Sequence, residues 1–156
     1  MDIRKEIKNI DWSQYETAYG NADQDIPEYL NQSKYIPKVS RLLLDLFSEN
    51  KEWAMKATHY LWCGLCHQHA FVSSAALPAY DFLIYGLKNL EDNLKIEILD
   101  ILLGFSICTA GVNLSDSWQG KLRSKLKEDM GYFQKLALNT NEEILSFAES
   151  IIEYLE

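Results

Sequence analysis

The chain has 156 residues, of which 47% are hydrophobic and 24% charged, and its formal net charge at pH 7 is −8. The length fits one domain with a substantial core, and seven glycines and three prolines are too few for a turn-rich β protein. The acidic balance disfavours nucleic acid and anionic membranes as partners, because phosphate binding needs clustered Lys and Arg, and it favours a basic protein.

The N-terminal residues also indicate the cellular compartment of the protein. The first eight residues lack the apolar core of a signal peptide. No apolar run approaches the roughly 20 residues that a transmembrane helix needs. We therefore expect a cytoplasmic protein whose three cysteines are reduced.

Residues 1–9 alternate charged residues with Ile3 and Ile7 and are predicted to form a short amphipathic helix at most, and two further short helices are predicted after them. In residues 11–20, Trp12, Tyr15 and Tyr19 fall at helical spacing, so one face of this helix is predicted to be aromatic. An aspartate can cap its start, and a glycine suits its end. Residues 25–28 read Asp-Ile-Pro-Glu, which is a capping-box spacing with proline in the first turn, and predict the second helix.

Longer helices follow from apolar periodicity and capping residues. They are predicted at residues 37–49, 51–66, 71–90, 93–108, 119–138 and 142–155. Trp53 is predicted on the inward face of the second of these, and Pro78 begins or kinks the third. The 93–108 helix is apolar almost all round, which is typical of a helix buried between neighbours. Residues 109–118 are predicted to be a loop, with Asp116 opening a capping box.

Successive helices pair into three units. The pairs 37–49/51–66, 74–90/93–108 and 119–138/142–155 each resemble a helix–turn–helix unit. Their spacing of roughly 40 residues is the period of HEAT or armadillo repeats. We therefore predict an all-α fold, with residues 1–156 forming one HEAT-like domain. This domain would be a short α-solenoid of HEAT/armadillo-like antiparallel helix pairs, whose N-terminal short helices cover one end.

Histidines and cysteines concentrate in residues 58–87, where Cys-Gly-Leu-Cys-His matches the motif that attaches c-type haem. The side chains that share roughly one helix face, or follow it directly, are His59, Cys63, Cys66, His67 and His69. Thiolates and imidazoles so placed could bind zinc or another soft metal. Alternatively, the cysteines are small buried apolar residues. Because ligands spread over two turns of one straight helix converge poorly, we expect neither haem nor a metal.

Several short motifs follow one another in a characteristic order between residues 10 and 105. They are Asp11-Trp12-Ser13, Tyr19-Gly20-Asn21-Ala22, Ile26-Pro27, His67-Gln68 and Pro78-Ala79-Tyr80-Asp81-Phe82-Leu83. This order resembles small bacterial HEAT-like proteins that are often proposed to be immunity proteins. The resemblance implies a protein that neutralises a polymorphic or contact-dependent growth inhibition toxin.

An immunity protein is therefore the leading functional hypothesis. It would bind a cognate toxin domain, expected to be basic and of nuclease type, and cover its active site or substrate groove, with acidic side chains in place of phosphates. The candidate partner contacts are Trp12, Tyr15, Tyr19, Asp23, Asp25, His67 and His69. Each has a structural alternative: the aromatic residues could be core, the acids caps or solvated surface, and His67 a helix-end cap.

Two other classes of function remain open. One is a HEAT-like adaptor with another protein partner, and the other is a metal protein that uses the His/Cys cluster. We expect no enzyme, because the sequence shows no nucleophile–base–acid arrangement and does not pair its carboxylates in a pocket.

Overall fold

The computed structural model describes residues 2–113 and 116–156, and in these ranges the chain is all-α apart from a two-stranded ribbon. The helices are α1 (Ile3–Asn9), α2 (Val39–Leu46), α3 (Lys51–Cys66), α4 (Ala76–Asn89), α5 (Asp92–Cys108), α6 (Trp118–Glu128), α7 (Met130–Leu136) and α8 (Glu142–Leu155). The ribbon consists of β1 (Ile26–Pro27) and β2 (Tyr35–Ile36). The predicted 109–118 loop lies between α5 and α6, and its residues 114–115 fall outside the described ranges.

Helix α5 is the centre of the core. It packs against α3, α4, α6 and α8, and residues such as Ile98, Leu102 and Phe105 are fully buried. Two polar side chains are buried with them because each bonds the carbonyl four residues earlier. The Ser106 hydroxyl donates to Leu102 O at 2.9 Å, and the Thr109 hydroxyl donates similarly at 2.8 Å. The prediction of a buried helix over 93–108 is confirmed.

The predicted helix pairs are present. Helix α2 packs against α3, α4 against α5, and α7 against α8. The second helices of the first and third pairs are capped by an asparagine: Asn50 Oδ1 accepts from Trp53 N at 3.1 Å, and Asn141 Oδ1 accepts from Glu143 N at 3.0 Å. The stacking of these pairs as a solenoid stays a prediction.

The predicted 119–138 helix is instead two helices, α6 and α7, which meet at Asp129. Asp129 leaves the helical conformation (φ −91°, ψ 8°), and its carboxylate Oδ2 accepts a hydrogen bond of 2.8 Å from the buried Tyr80 hydroxyl. The hydrogen bond from Tyr80 holds Asp129 in this non-helical conformation, and α6 therefore ends before it. The cap at the start of α6 is also one residue later than predicted, since Ser117, not Asp116, accepts from Gly120 N.

The predicted helix over residues 11–20 is wrong. Only one 3-10 turn forms, Trp12–Gln14, and Tyr15 is already extended (φ −127°, ψ 157°). A tight turn follows, in which Thr17 N donates to Gly20 O at 2.7 Å and Gly20 takes a φ of 147° that suits glycine. The turn hydrogen bonds replace those of a helix, so the three aromatic residues of this segment share no helix face.

The predicted helix at residues 25–28 is also wrong. Ile26 and Pro27 form β1, with Ile26 opposite Ile36 in an antiparallel pair. A proline disfavours the helical conformation at the residue before it, which explains the extended Ile26. Asp25 caps no helix; its carboxylate accepts from Lys38 N at 2.9 Å and ties the ribbon to the start of α2. We call residues 26–36 the arm.

Gly104 allows α5 to approach the end of α3, and its replacement provides a stability test. A Cβ on Gly104 would lie 2.6 Å from Cys66 Sγ and 2.7 Å from His69 Cδ2. We expect Gly104→Ala to lower the free energy of unfolding by about 1–3 kcal/mol, because this overpacking outweighs the better helix propensity of alanine. Urea denaturation followed by circular dichroism measures the loss.

Gly131→Ala is the matched control. Gly131 lies in α7, and a Cβ there would meet nothing within 4 Å. Its replacement should leave stability unchanged or raise it by up to about 1 kcal/mol. Equal stability of the two variants would contradict the close-packing argument.

Candidate partner-binding groove

A groove of about 730 Å³ separates the arm from the C-terminal half of α3. Its walls include Ile26, Glu28 and Ile36 of the arm, His59 and Tyr60 of α3, and Tyr19. A volume of this size accommodates several side chains of a partner or a drug-sized ligand. The groove is therefore the first place to look for a binding function.

The α3 wall of the groove is fixed by the core. Leu61 and Leu65 point to the buried side of α3, His59 is exposed, and Tyr60 lies half-buried at the edge of the core. Tyr19 is positioned by the backbone, because Ala18 N donates to Gly64 O at 2.8 Å near the end of α3. Rigid helix packing and a backbone hydrogen bond thus hold the aromatic side of the groove.

The polar atoms of the groove form a small network. The Tyr60 hydroxyl donates to Glu28 Oε1 at 3.0 Å, and burial together with this carboxylate raises the pKa of Tyr60. Burial, followed by the nearby Cys63 thiol, raises the pKa of Tyr19 to about 12. Both phenols are therefore neutral near pH 7. Glu28 belongs to none of the ion pairs found among the described residues.

The arm displays apolar side chains beside the groove. Tyr29 and Leu30 are each 94% exposed, and Tyr35 is 56% exposed. The arm is closed by its own hydrogen bonds, with Glu28 N donating to Lys34 O and Lys34 N donating to Asn31 O, each at 2.9 Å. This closure holds the tip in a position where its large apolar side chains face solvent.

The aromatic surface continues along α3. Tyr60 also lines a second depression of about 250 Å³, together with Trp53 and Lys56. Trp53 is 51% exposed, so the prediction that it faces inward is wrong. Its position extends the exposed aromatic surface from the arm to the first turns of α3, because Tyr60 belongs to both depressions.

The His-Gln-His segment ends α3 in an unusual backbone conformation. His67, Gln68 and His69 all have positive φ, of 42°, 55° and 71°. This left-handed region costs a non-glycine residue of order 1 kcal/mol or more. The turn is held by contacts to neighbours: His69 Nε2 lies 2.7 Å from Asp100 Oδ1, and the His67 ring stacks on Phe71 with centroids 4.8 Å apart.

The His/Cys side chains considered as alternative metal ligands do not converge on one point. Cys66 is fully buried and its thiol donates to Trp62 O at 3.3 Å, while His59 Nε2 lies 3.8 Å from Cys63 Sγ. His69 pairs with α5 instead of facing these side chains. Across residues 2–113 and 116–156, no three His, Cys, Asp or Glu side chains are grouped so as to hold a metal ion.

The predicted aromatic contacts are scattered. Trp12 is 3% exposed, its Nε1 donates to Ile7 O at 2.9 Å, and its ring packs near Phe82. Trp12 is therefore a core residue and offers no surface to a partner. Tyr15 is half-buried with its ring edge on Trp12, and only Tyr19 lines the groove.

The predicted polar contacts lie in three places. Asp23 is exposed on the loop before the arm, and Asp25 anchors the arm to α2. His67 and His69 belong to the left-handed turn after α3 and line neither side of the groove. The structure thus does not gather the seven predicted residues into one site.

Sequence reasoning missed the residues of the groove. The sequence motifs place Glu28 in the predicted 25–28 helix and single out neither Tyr29 and Leu30 nor Tyr60. A signal was present: a tyrosine and a leucine stand together among Asn, Gln, Ser and Lys, where no apolar periodicity would bury them. Such isolated apolar residues in a polar, turn-forming stretch indicate an exposed pair.

No protein-family model, curated protein or solved structure matches the chain. The likeness to HEAT-like immunity proteins therefore rests on the short motifs alone. None of the helices within the described ranges combines the length and the apolar character needed to cross a bilayer.

The buried state of Cys66 can be tested by alkylation. Burial raises the pKa of the Cys66 thiol to about 12, and Cys108 is more exposed. At pH 8 only about one Cys66 thiol in ten thousand is then a thiolate, which is the reactive form. We expect iodoacetamide to label Cys108 at least tenfold faster than Cys66 in the folded protein, as measured by peptide mass spectrometry.

The same reaction in urea is the control. Unfolding restores ordinary thiol pKa values, so Cys66 and Cys108 should then be labelled at similar rates. Labelling of Cys66 as fast as Cys108 in the folded protein would place Cys66 outside the core and reopen the metal-binding interpretation.

Proposed function

We propose that the chain is an immunity protein that binds a cognate bacterial toxin domain of nuclease type and covers its active site or substrate groove. The single observation that carries this proposal is the exposure of Tyr29 and Leu30 beside the groove. Fully burying a large apolar side chain is worth about 1.5–3 kcal/mol. A partner that covers both would gain this energy, whereas in the free protein both side chains face water.

The arrangement has the features of a protein–protein hot spot. Tyrosine and tryptophan are the residues that most often dominate binding energy, and Tyr29, Tyr35 and Trp53 all lie on this exposed surface. The groove between arm and helix offers a concave site next to them. A partner segment inserted there would be surrounded by apolar and aromatic side chains.

Charge supports the choice of a basic partner. The net charge of −8 would steer a basic toxin towards the protein and raise the association rate. A nuclease active site binds phosphates and is accordingly basic, so an acidic inhibitor is complementary to it. The motif resemblance to immunity proteins points to the same class of partner.

We also propose that the helix pairs stack as a short solenoid. Helix α5 packs against both α3 and α8, and each of these three is the second helix of its pair. Contact between equivalent helices of successive repeats is what a solenoid requires. In this arrangement α3 is the last of these three helices in the stack, so one of its sides is not covered by a further repeat and lies next to the arm.

The proposed place of action is the cytoplasm. All three cysteines are free thiols, as expected of a reducing compartment. We propose a binding role for the groove, because large exposed apolar side chains of the arm lie along it. An adaptor would bind its partner through the same surface, and the growth-rescue experiment distinguishes an adaptor from an immunity protein.

The test is co-expression with the C-terminal toxin domain encoded by the neighbouring upstream gene. We expect growth rescue and a 1:1 complex on size-exclusion chromatography. Tyr29→Ser combined with Leu30→Ser should weaken the complex at least 100-fold and abolish rescue, because two exposed anchors are lost. Isothermal titration calorimetry measures the change in Kd.

Leu138→Ser is the matched control. Leu138 is 84% exposed, follows α7 and lies outside the groove, so its replacement should leave affinity and rescue unchanged. A complex without rescue of growth would favour an adaptor over an immunity protein. Full rescue by the Tyr29/Leu30 double variant would contradict the role of the arm.

A further inference from the structure

Glu28 stands out among the groove residues because its charge has no counter-ion among the described residues. Its carboxylate accepts one hydrogen bond, from the Tyr60 hydroxyl, and none of the ion pairs in that part of the chain includes it. A carboxylate can accept about four hydrogen bonds, so most of its acceptor capacity is free. The Glu28 side chain is half-buried, and the groove around it is lined by aliphatic residues and tyrosines.

The surroundings of Glu28 suit one kind of side chain. Ile26 and Ile36 of the ribbon supply aliphatic surface on the arm, and Tyr19 and Tyr60 supply aromatic rings opposite. Arginine carries an aliphatic stem that packs on apolar surface and a planar guanidinium that pairs with carboxylates and stacks on aromatic rings. Lysine shares the stem but lacks the planar, forked donor group.

We propose that the groove receives an extended partner segment that places one arginine side chain against Glu28, between the arm and Tyr60. This inference rests on the proposed function in one respect, that the partner docks at this groove, and it names the group that the partner supplies. The charge complementarity is local, from Glu28, and global, from the net charge of −8. The groove volume of about 730 Å³ leaves room for the neighbouring residues of the segment.

Tyr60 has a positioning role in this arrangement. Its hydroxyl donates to one carboxylate oxygen, Glu28 Oε1, at 3.0 Å and leaves the other oxygen for the partner. The raised pKa of Tyr60 keeps this hydroxyl protonated and therefore donating across the physiological range. Loss of the hydroxyl should loosen Glu28 without removing its charge.

The experiment uses the whole chain and a small probe in place of the partner. Nα-acetyl-arginine-N-methylamide is titrated into ¹⁵N-labelled protein, and its citrulline counterpart, which has the same shape but no charge, is titrated in parallel. We expect the arginine probe to shift backbone resonances of residues 26–36 and 59–63, with an affinity at least tenfold above that of citrulline. Tyr60→Phe should reduce this preference partly.

Glu28→Gln provides the decisive variant, because it keeps the shape of the side chain and removes its charge. It should abolish the preference for arginine over citrulline. Glu52→Gln is the control, since Glu52 is an exposed acid in the first turn of the same helix that carries Tyr60. That variant loses the same global charge and should bind the arginine probe as the wild type does.

Each result of the titration either supports or overturns the arginine site. Equal binding of arginine and citrulline, no shifts at the groove, or an unchanged preference in Glu28→Gln would each overturn the assignment of an arginine site. The titration contains no toxin, so its failure differs from a failure of rescue. If rescue fails while arginine binds at Glu28, the immunity function is wrong and the arginine site stands.

Discussion

The burial of α5 is the constraint on which the rest of the structure depends. Because this helix is apolar on nearly all sides, it must be covered by α3, α4, α6 and α8 at once. Gly104 permits the close approach of α5 to the end of α3, because a Cβ there would lie 2.6 Å from Cys66 Sγ. This approach also brings Asp100 within 2.7 Å of His69, which holds the left-handed turn after α3. The core thereby fixes the helix that forms one wall of the groove.

The groove combines this rigid wall with a separately anchored arm. The arm is attached through the Asp25–Lys38 hydrogen bond and the short ribbon, and its apolar tip makes no contribution to the core. Tyr29 and Leu30 stand together with Tyr35 on this tip, and contiguous exposed apolar side chains are typical of interaction sites. A binding surface that is already formed before the partner arrives also loses little conformational entropy on association. The fold therefore presents the groove and the arm as a preorganised surface.

The sequence predicted the helical part of the fold well and the N-terminal part poorly, for physical reasons. Where apolar periodicity and a capping residue agree, as in α3 after Asn50 and α8 after Asn141, the helices form as predicted. In residues 11–36 the capping and spacing signals favour helices, but turn hydrogen bonds form instead. Pro27 also disfavours the helical conformation at Ile26, so Ile26 is extended. The groove could not be predicted, because it depends on where the ribbon docks on α3. Of the predicted contacts, only Tyr19 lines it.

The central claim is that the arm and α3 form the surface that a toxin domain covers. Hydrogen–deuterium exchange of the protein, alone and in complex with the toxin domain encoded beside it, tests this claim most directly. The account predicts that protection on binding concentrates in residues 26–36 and the second half of α3, with α6 and α7 unchanged. Protection confined to α6–α8, with the arm exchanging as in the free protein, would contradict it.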